Sequence, residues 1–552
     1  MAENAAHKFD YEFDVVVVGT GGAGFATALG AVDSGLSVLM LESGEKWGGN
    51  TAMSGGGMWL PNNPLMQRDR VGDSRAEALD YLEATIGDGY RATSRERKEA
   101  FVDGVDDFVL TAEKHGFRFA RATDYPDYYP ELPGGKIGRA IEVEPFDAKV
   151  VGEWASSISA PALLGANTDD VWLLGRAWST FDGMVRGASV VFRILGGAIT
   201  GKKLAGIGGA LGSAFMKAVV VDGGGSLWLK SPLEDLITDD EGRVIGVRTV
   251  RDGAPVTVRA HRGVMLAAGG FDHNVEWRRK YHGIDGFSSG ARTNTGRPIE
   301  LAEKVGAALE LMDDAWWGPS LAAVEGGEPS FVVGERSMPY SIIVDGQGAG
   351  VSNESESYVD FGHRMLEHNK DGDYWLVADA RHARRYLRTF ALDPRAMKAM
   401  RQQGIVHSAK TLADLAGAIG ADAEVLKQTV QEFNGYARSG VDGKFGRGNS
   451  AYDRYYGDPT VSPNPVLGPI EKGPFMAYKL VIGDLGTKGG VLTDTEGRAL
   501  REDGSVIEGL YAAGNNSASM MGRTYPGPGS TLGPATVFGM RAARDMAGVR
   551  VS

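Results

Sequence analysis

The chain of 552 residues contains no cysteine. Disulfides, thiolate catalysis and cysteine-ligated metal sites are therefore excluded. Histidine is sparse, with nine scattered copies and no HExxH-like spacing, so no histidine metal site is expected. No run of 18 or more apolar residues occurs, and no transmembrane helix is expected. The opening residues MAENAAHKFDYEF are polar and acidic. They lack the apolar centre of a signal peptide, and a cytoplasmic location follows as the expectation. Positive charge is also in deficit. The net charge of −13 argues against nucleic acid as a partner.

What the chain has in abundance is glycine, 80 residues gathered in motif loops rather than in low-complexity tracts. The most informative loop follows the apolar strand at Val15–Val18 and reads Gly19-Thr20-Gly21-Gly22-Ala23-Gly24. A helical stretch runs on to Ser34-Gly35, and a second strand, Ser37–Leu41, ends at Glu42. Each part has a physical purpose. Gly19 permits a tight turn, Gly21 lets backbone approach a pyrophosphate, and Gly24 lets the helix pack on the sheet. The helix N-terminus, with Gly22 and Ala23, offers amides to phosphate. Glu42 stands where a carboxylate accepts hydrogen bonds from an adenosine ribose. Strand, loop, helix, strand and terminal acid in this order identify a dinucleotide site.

Directly after Glu42 comes Ser43-Gly44-Glu45-Lys46-Trp47-Gly48-Gly49-Asn50-Thr51-Ala52-Met53-Ser54-Gly55-Gly56-Gly57. Such a run can wrap amides and hydroxyls around a ligand that stays bound. Here the chain resembles the flavoprotein superfamily of fumarate reductases, succinate dehydrogenases and 3-ketosteroid dehydrogenases. The resemblance implies FAD as cofactor, touched by Ser43, Gly49, Asn50, Thr51, Ser54, Gly55 and Gly56. It extends the expected contacts to Ala268 and Gly269, to Gly514 and Asn515, and to Gly529, Thr531 and Leu532. Superfamily members with covalent flavin use a histidine in the early loop. None lies between His7 and His115, so FAD is expected to be non-covalent.

The length suggests two to four domains, and the hydrophobic content of 43% suffices for large cores. The expected fold class is α/β, a Rossmann-type FAD-binding domain with an inserted α+β catalytic domain. Residues 1–280 form the first part of the cofactor domain, 281–480 the aromatic, turn-rich substrate domain, and 481–552 the returning part of the cofactor domain. Arg243–Val250 and Val256–Ala260 read as strands joined by a turn at Asp252-Gly253. Gly263–Gly270 reads as a further buried strand, and Gly509–Gly514 as a strand leading to a helix from Gly533. The glycine-rich segment Val171–Val221 carries Arg176, Arg186, Arg193, Lys202 and Lys203 among apolar residues. Amphipathic helices packed on the core are the first reading. A basic, apolar face resting on a membrane and admitting a lipophilic substrate is the second.

Four tyrosine-bearing segments stand out, at Tyr125–Glu131, Val351–Gly362, Ala451–Pro459 and Met521–Ser530. With WLPNN at 59–63, DDAWWGP at 313–319, DLGTKGG at 484–490 and EGLYAAGN at 508–515, they resemble the 3-ketosteroid Δ1-dehydrogenases over nearly the whole chain. The resemblance implies that Tyr358 removes the C2 proton of a 3-oxosteroid and that Tyr128 hydrogen-bonds to this base. It further implies that Tyr525 and the backbone amide of Gly529 donate to the C3 carbonyl, while FAD accepts the C1 hydride. The physical logic agrees, since a proton α to a ketone is removable only if the developing enolate oxygen is stabilised. A phenol of ordinary pKa near 10 needs its anion favoured to act as base. Reduced FAD would pass its electrons to an external quinone-like acceptor. The alternatives are a Δ4-(5α)-dehydrogenase or other cyclic-ketone dehydrogenase, a fumarate-reductase-like enzyme, and a binding protein without turnover. A dicarboxylate enzyme needs arginines in its site, and the arginine that tends to follow the Asn-Glu motif in fumarate reductases is replaced here by Tyr358. Arg364 and Arg523 are expected to form surface salt bridges. Ser530 and the Asn515-Asn516 pair depart from the family pattern beside the expected flavin and ring-A contacts.

Overall fold

Four successive valines, Val15–Val18, carry no polar side chain on either face, and such a strand is stable only when covered on both sides. The computed structural model, which describes residues 8–160, 165–387 and 393–549, places the strand Tyr11–Val18 inside an eight-stranded sheet. It lies between Val38–Leu41 and Ala254–Leu266, parallel to both. Val506–Ala512 extends the parallel array on one side and Ser226–Trp228 on the other. The helix Gly22–Asp33 crosses the C-terminal helix Leu532–Met546 over this sheet. The crossing is close because Gly30 has no side chain. A Cβ there would lie 2.6 Å from Met540 Sδ and 2.8 Å from Ala543 Cβ.

The hairpin at Asp252-Gly253 forms as expected, with φ of 51° and 81° at the two turn residues, the backbone of a twist-matched two-residue turn. The two strands expected at Val256–Ala260 and Gly263–Gly270 are in fact one, Ala254–Leu266, which ends four residues before Gly270. Its first half alternates in burial and pairs with Val244–Arg251. Its second half is a buried run between Tyr11–Val18 and Val506–Ala512. His261 and Arg262 read as a break, yet they carry no turn residue; the strand continues past them with a shift of register, the two standing opposite the single residue Asp14.

A second sheet of seven strands is built around Phe475–Thr487. Ala315–Leu321 and Tyr374–Ala378 flank it, with Ser330–Phe331 and Ser341–Asp345 outside them. The helix Tyr358–Asn369 lies on this sheet through Gly362, where a Cβ would come 2.5 Å from Trp317 Cβ. The first residue of that helix, Tyr358, is thereby held at the junction of the two sheets.

Core packing within Val171–Val221 describes Ile207–Met216, which is buried along its length. It does not describe Phe181–Ile199. There Phe181 and Phe192 are 73% exposed and Ile199 is 86% exposed. No helix among the described residues is long and apolar enough to cross a membrane.

Gly24 lies against the carbonyl of Gly19, and a Cβ would meet that oxygen at 2.2 Å. Overpacking of this kind costs about 1–3 kcal/mol. Gly24→Ala is therefore expected to lower the melting temperature and the FAD retained on purification, measured by differential scanning fluorimetry and visible absorbance.

Candidate active site

One cavity of about 940 Å³ runs from the glycine loop to the tyrosine segments. Its lining includes Gly19, Gly21, Gly22, Ala23, Glu42, Ser43, Gly49, Asn50, Thr51, Ser54, Gly55 and Gly56 at one end. Ala268, Gly269, Gly514, Asn515, Thr531 and Leu532 also line it, as do Tyr128, Tyr358, Tyr525 and Gly529. Of the residues expected to touch cofactor or substrate, Gly24 alone stays outside. Its contact is with the turn, as the packing role requires.

The glycine end fits a dinucleotide. Gly19 has φ of 105°, and a Cβ would strike Ala267 O at 2.4 Å. Gly21 and Gly49 instead face open space, where the nearest atoms to an added Cβ lie 3.7 and 4.0 Å away. Backbone is thus presented bare to a ligand. The Glu42 carboxylate accepts from the Gly44 amide at 2.9 Å and from the Thr20 hydroxyl, while Thr20 also receives the Gly48 amide at 2.9 Å. One helix-terminal amide is already engaged, because Gly22 N donates to Thr51 Oγ1 at 2.7 Å. No histidine lines the cavity among the described residues.

At the other end the phenols crowd together. Ring centroids of Tyr128 and Tyr525 are 5.2 Å apart, those of Tyr358 and Tyr525 5.0 Å, and those of Tyr128 and Tyr358 5.5 Å in an edge-on contact. Burial pushes the Tyr128 and Tyr358 hydroxyls well above the ordinary phenol value, and each neighbouring phenol adds to the rise. Tyr525 is raised less. Burial acts on it too, but the Tyr358 and Thr531 hydroxyls and the amides of Gly529 and Thr531 favour its anion. The Tyr525 hydroxyl and the Gly529 amide therefore share one small volume, the arrangement needed to bind an oxyanion. The hydroxyl of Tyr128 faces that of Tyr125 at 3.4 Å, and the described bonds include no direct bond from Tyr128 to Tyr358.

Each side chain is held by its own segment. The Asn353 carboxamide accepts from Ser355 N at 2.9 Å and donates to Asp453 at 3.0 Å. Glu354 accepts from Ile343 N at 2.9 Å and from Arg447 at 3.0 Å. These bonds fix the turn before Tyr358. Tyr128 N and the Tyr81 hydroxyl both donate to Pro526 O, at 2.8 and 2.5 Å, and Trp59 N donates to Gly529 O at 3.1 Å. Ser530 closes the Gly527 turn through its hydroxyl, and Asn516 clamps Ala268 and Gly269. The two departures from the family pattern thus shape backbone around the cavity. Arg364 and Arg523 form exposed ion pairs with Glu356 and Asp313, at 2.9 and 3.0 Å, and neither lines the cavity. Among the described residues, the one lysine or arginine that does is Arg297, which donates to Glu234 O beside the loop Ser231–Leu233.

The FAD binding domain family model matches residues 14–532. The 3-oxosteroid 1-dehydrogenase of Mycolicibacterium smegmatis is 44% identical over 97% of each chain. The 4-oxocyclohex-2-ene-1-carboxylate 5-dehydrogenase of Sinomonas cyclohexanicum is 36% identical over 97% of this chain and 93% of its own. The crystal structure of 3-ketosteroid Δ1-dehydrogenase from Sterolibacterium denitrificans, in complex with 1,4-androstadiene-3,17-dione, superposes with a TM-score of 0.90 at 36% identity. It covers 97% of this chain and 99% of that one. The chain belongs to the 3-ketosteroid Δ1-dehydrogenase family.

Several cavity residues of this family member were not singled out from sequence as site residues. Thr20 and Asn294 line the cofactor end, and Phe331, Trp172 and Tyr456 line the other. Thr20 lies inside the glycine motif and Tyr456 inside the third tyrosine segment, so a signal existed for both. Trp172 lies in the amphipathic segment Val171–Val221, whereas Phe331 arrives from a segment that carries no motif signal.

Glu142 is buried beneath the cavity-lining helix Thr168–Leu174 and accepts from the Thr168 amide and hydroxyl at 3.0 and 2.9 Å. Burial pushes its carboxyl up to about 7, those two donors opposing it. The folded protein therefore prefers the protonated acid. That stabilisation is complete below the ordinary value of 4.5 and is lost as pH rises through about 7. Glu142→Gln is expected to remove this loss, raising the melting temperature above wild type at about pH 8 but not at about pH 4, as thermal unfolding at the two pH values will test.

Proposed function

We propose that the protein is an FAD-dependent 3-oxosteroid Δ1-dehydrogenase that removes hydrogen from C1 and C2 of ring A. The observation that carries this reading is the meeting of Tyr358, Tyr128, Tyr525 and the Gly529 amide at one end of the cavity, beside an apolar lining. A neutral fused-ring ketone suits that end, where Trp172, Leu174, Val190, Val333 and Met338 supply apolar surface. A carboxylate substrate does not, because no lysine or arginine lines that end among the described residues.

In this reading the Tyr525 hydroxyl and the Gly529 amide hold the ketone oxygen. Each such donor is worth about 3–4 kcal/mol once charge develops there. Tyr358 takes the C2 proton. It begins the helix Tyr358–Asn369, whose positive end favours an anion in the first turn. Tyr128 packs beside it and restricts its orientation. FAD, when bound, supplies the acceptor for the C1 hydride. Regeneration falls to an external acceptor, for which a quinone-like molecule is the reading, because a chain without cysteine cannot hold a thiolate-bound iron–sulfur relay.

The same reading includes a peripheral membrane contact. Val171 and Trp172 line the cavity, and the adjoining helix Phe181–Ile199 turns Phe181, Met184, Phe192, Leu195 and Ile199 outward. The exposed Lys202 and Lys203 follow directly. A helix with such a face rests in a headgroup layer and would let a lipophilic steroid pass from lipid to cavity.

Anaerobic mixing with androst-4-ene-3,17-dione is expected to bleach the visible flavin band and yield the C1–C2 alkene by mass spectrometry. Tyr358→Phe should slow bleaching about 10²–10⁴-fold, whereas an unchanged rate removes Tyr358 as base. Flotation with anionic phospholipid vesicles is expected to carry wild type upward and to leave a Phe181→Glu, Phe192→Glu variant behind. Equal flotation of both would sink the membrane contact.

A further inference from the structure

If Tyr358 takes a proton from C2, that proton must leave before the next turnover. A steroid in the cavity covers the base, and the Tyr358, Tyr128 and Tyr525 side chains are at most 5% exposed. No histidine or lysine lines the cavity among the described residues, so the usual proton carriers are missing. Beside the base, at the same end of the cavity, stand further phenols to which the reading above gives no part in hydride transfer. The Tyr128 hydroxyl faces Tyr125 at 3.4 Å, and the Tyr125 hydroxyl is hydrogen-bonded to that of Tyr456.

We propose that Tyr125 and Tyr456 form a relay that carries the C2 proton from Tyr128 and Tyr358 to the far side of the tyrosine cluster. The proposal rests on the reading of Tyr358 as the base. A hydroxyl both donates and accepts, so a row of phenols passes a proton by each oxygen taking one hydrogen and releasing another. No member has to persist as an anion. This matters because burial raises Tyr125 and Tyr456, as it raises Tyr128 and Tyr358. The 3.4 Å step is long for a resting hydrogen bond, and Tyr128 meets Tyr358 by ring contact alone; the relay requires both links to tighten in the substrate complex, as catalytic hydrogen bonds do. At the outer end, the half-buried, cavity-lining Glu335 and the buried Arg336 both act on the Tyr456 hydroxyl. Arg336 favours negative charge there during transfer, and Glu335 provides a carboxylate at the exit. The balance is complete. The C2–H and C1–H bonds break and the C1–C2 double bond forms; the hydride would be taken up by FAD when that cofactor is bound, and one proton passes through the relay to water.

The geometry also supplies a control. Tyr455 is adjacent in sequence and stacks on Tyr125 with centroids 4.4 Å apart, but its buried hydroxyl has no hydrogen-bond partner. It shares the packing without the path.

The test uses chemically reduced holoenzyme in D₂O, where a 3-oxosteroid exchanges C2 hydrogen with solvent only if the base communicates with bulk water. Exchange is followed by NMR, alongside FAD content, steroid affinity by absorbance and melting temperature. Tyr125→Phe and Tyr456→Phe are expected to slow C2 exchange about ten- to a hundredfold, because the abstracted proton returns to the same carbon. Steroid affinity and FAD content should stay at wild-type values, and Tyr455→Phe should exchange like wild type. The relay is overturned if both variants exchange like wild type, or if Tyr455→Phe loses exchange equally, which would mark a packing effect. Tyr358→Phe separates the two readings. Loss of exchange there with normal exchange in the relay variants removes the relay alone, whereas retained exchange in Tyr358→Phe removes the base on which it rests.

Discussion

The carbonyl of Pro526 is the point on which the site depends. It accepts the Tyr128 amide and the Tyr81 hydroxyl, and Tyr81 in turn receives the Tyr129 amide at 3.2 Å. The segments bearing Tyr128 and Tyr525 have no regular pairing of their own, so these bonds set their separation. Trp59 completes the junction. Its amide reaches Gly529 O, its indole donates to Asp127 at 2.7 Å, and its ring fills the space beside Gly527, where a Cβ would lie 2.3 Å away. Asp127 is fixed by Arg139 at 2.8 Å, and Arg139 by Asp73 at 2.7 Å. A charged residue buried this completely holds position only because each partner satisfies the other.

That junction joins two opposed requirements. The reacting end must be dry, since donors aimed at a developing oxyanion act most strongly where water is excluded. Dryness equally raises the pKa of every phenol in it. The site answers with geometry rather than with a cation beside the base. Tyr525 receives help from the amides of Gly529 and Thr531, and Tyr358 stands at a helix start. Lys488 is itself buried, paired with Asp314 at 3.1 Å and set 4.8 Å from the Trp316 ring. Charge compensation is thus kept one layer behind the cavity.

The apolar helix Phe181–Ile199 follows the same economy. Its inward Val190 lines the cavity while its outward residues cover nothing. Arg186 and Arg193 fold back on the buried Asp170, at 3.3 Å and in a closer pair, so the helix is tied to the body by charge and leaves its apolar face outside. Sequence patterning marked the segment as amphipathic, but amphipathicity does not say which side faces the core. Packing against Thr168–Leu174 and the ion pairs to Asp170 decided that.

Local chemistry wrote much of this protein into its sequence. The Gly19–Gly24 loop, Glu42 and the Asp252-Gly253 turn act through backbone conformations and neighbours a few residues away, and each is where the sequence puts it. The tyrosines were visible as residue types in segments centred near positions 128, 358, 455 and 525, but their mutual geometry was not. Tyr125 bonded to Tyr456, and Tyr128 packed against Tyr358 and Tyr525, are contacts between chain segments several hundred residues apart. Nothing in a linear pattern fixes the direction of a phenol hydroxyl. The continuous strand Ala254–Leu266 was hidden for the related reason that sheet pairing before and after His261 and Arg262 carries the strand across these two polar residues. The sequence alone determined which groups were available and where backbone had to bend. The tertiary structure decided which groups meet, because hydrogen bonding and burial at this site are set by packing across the whole fold.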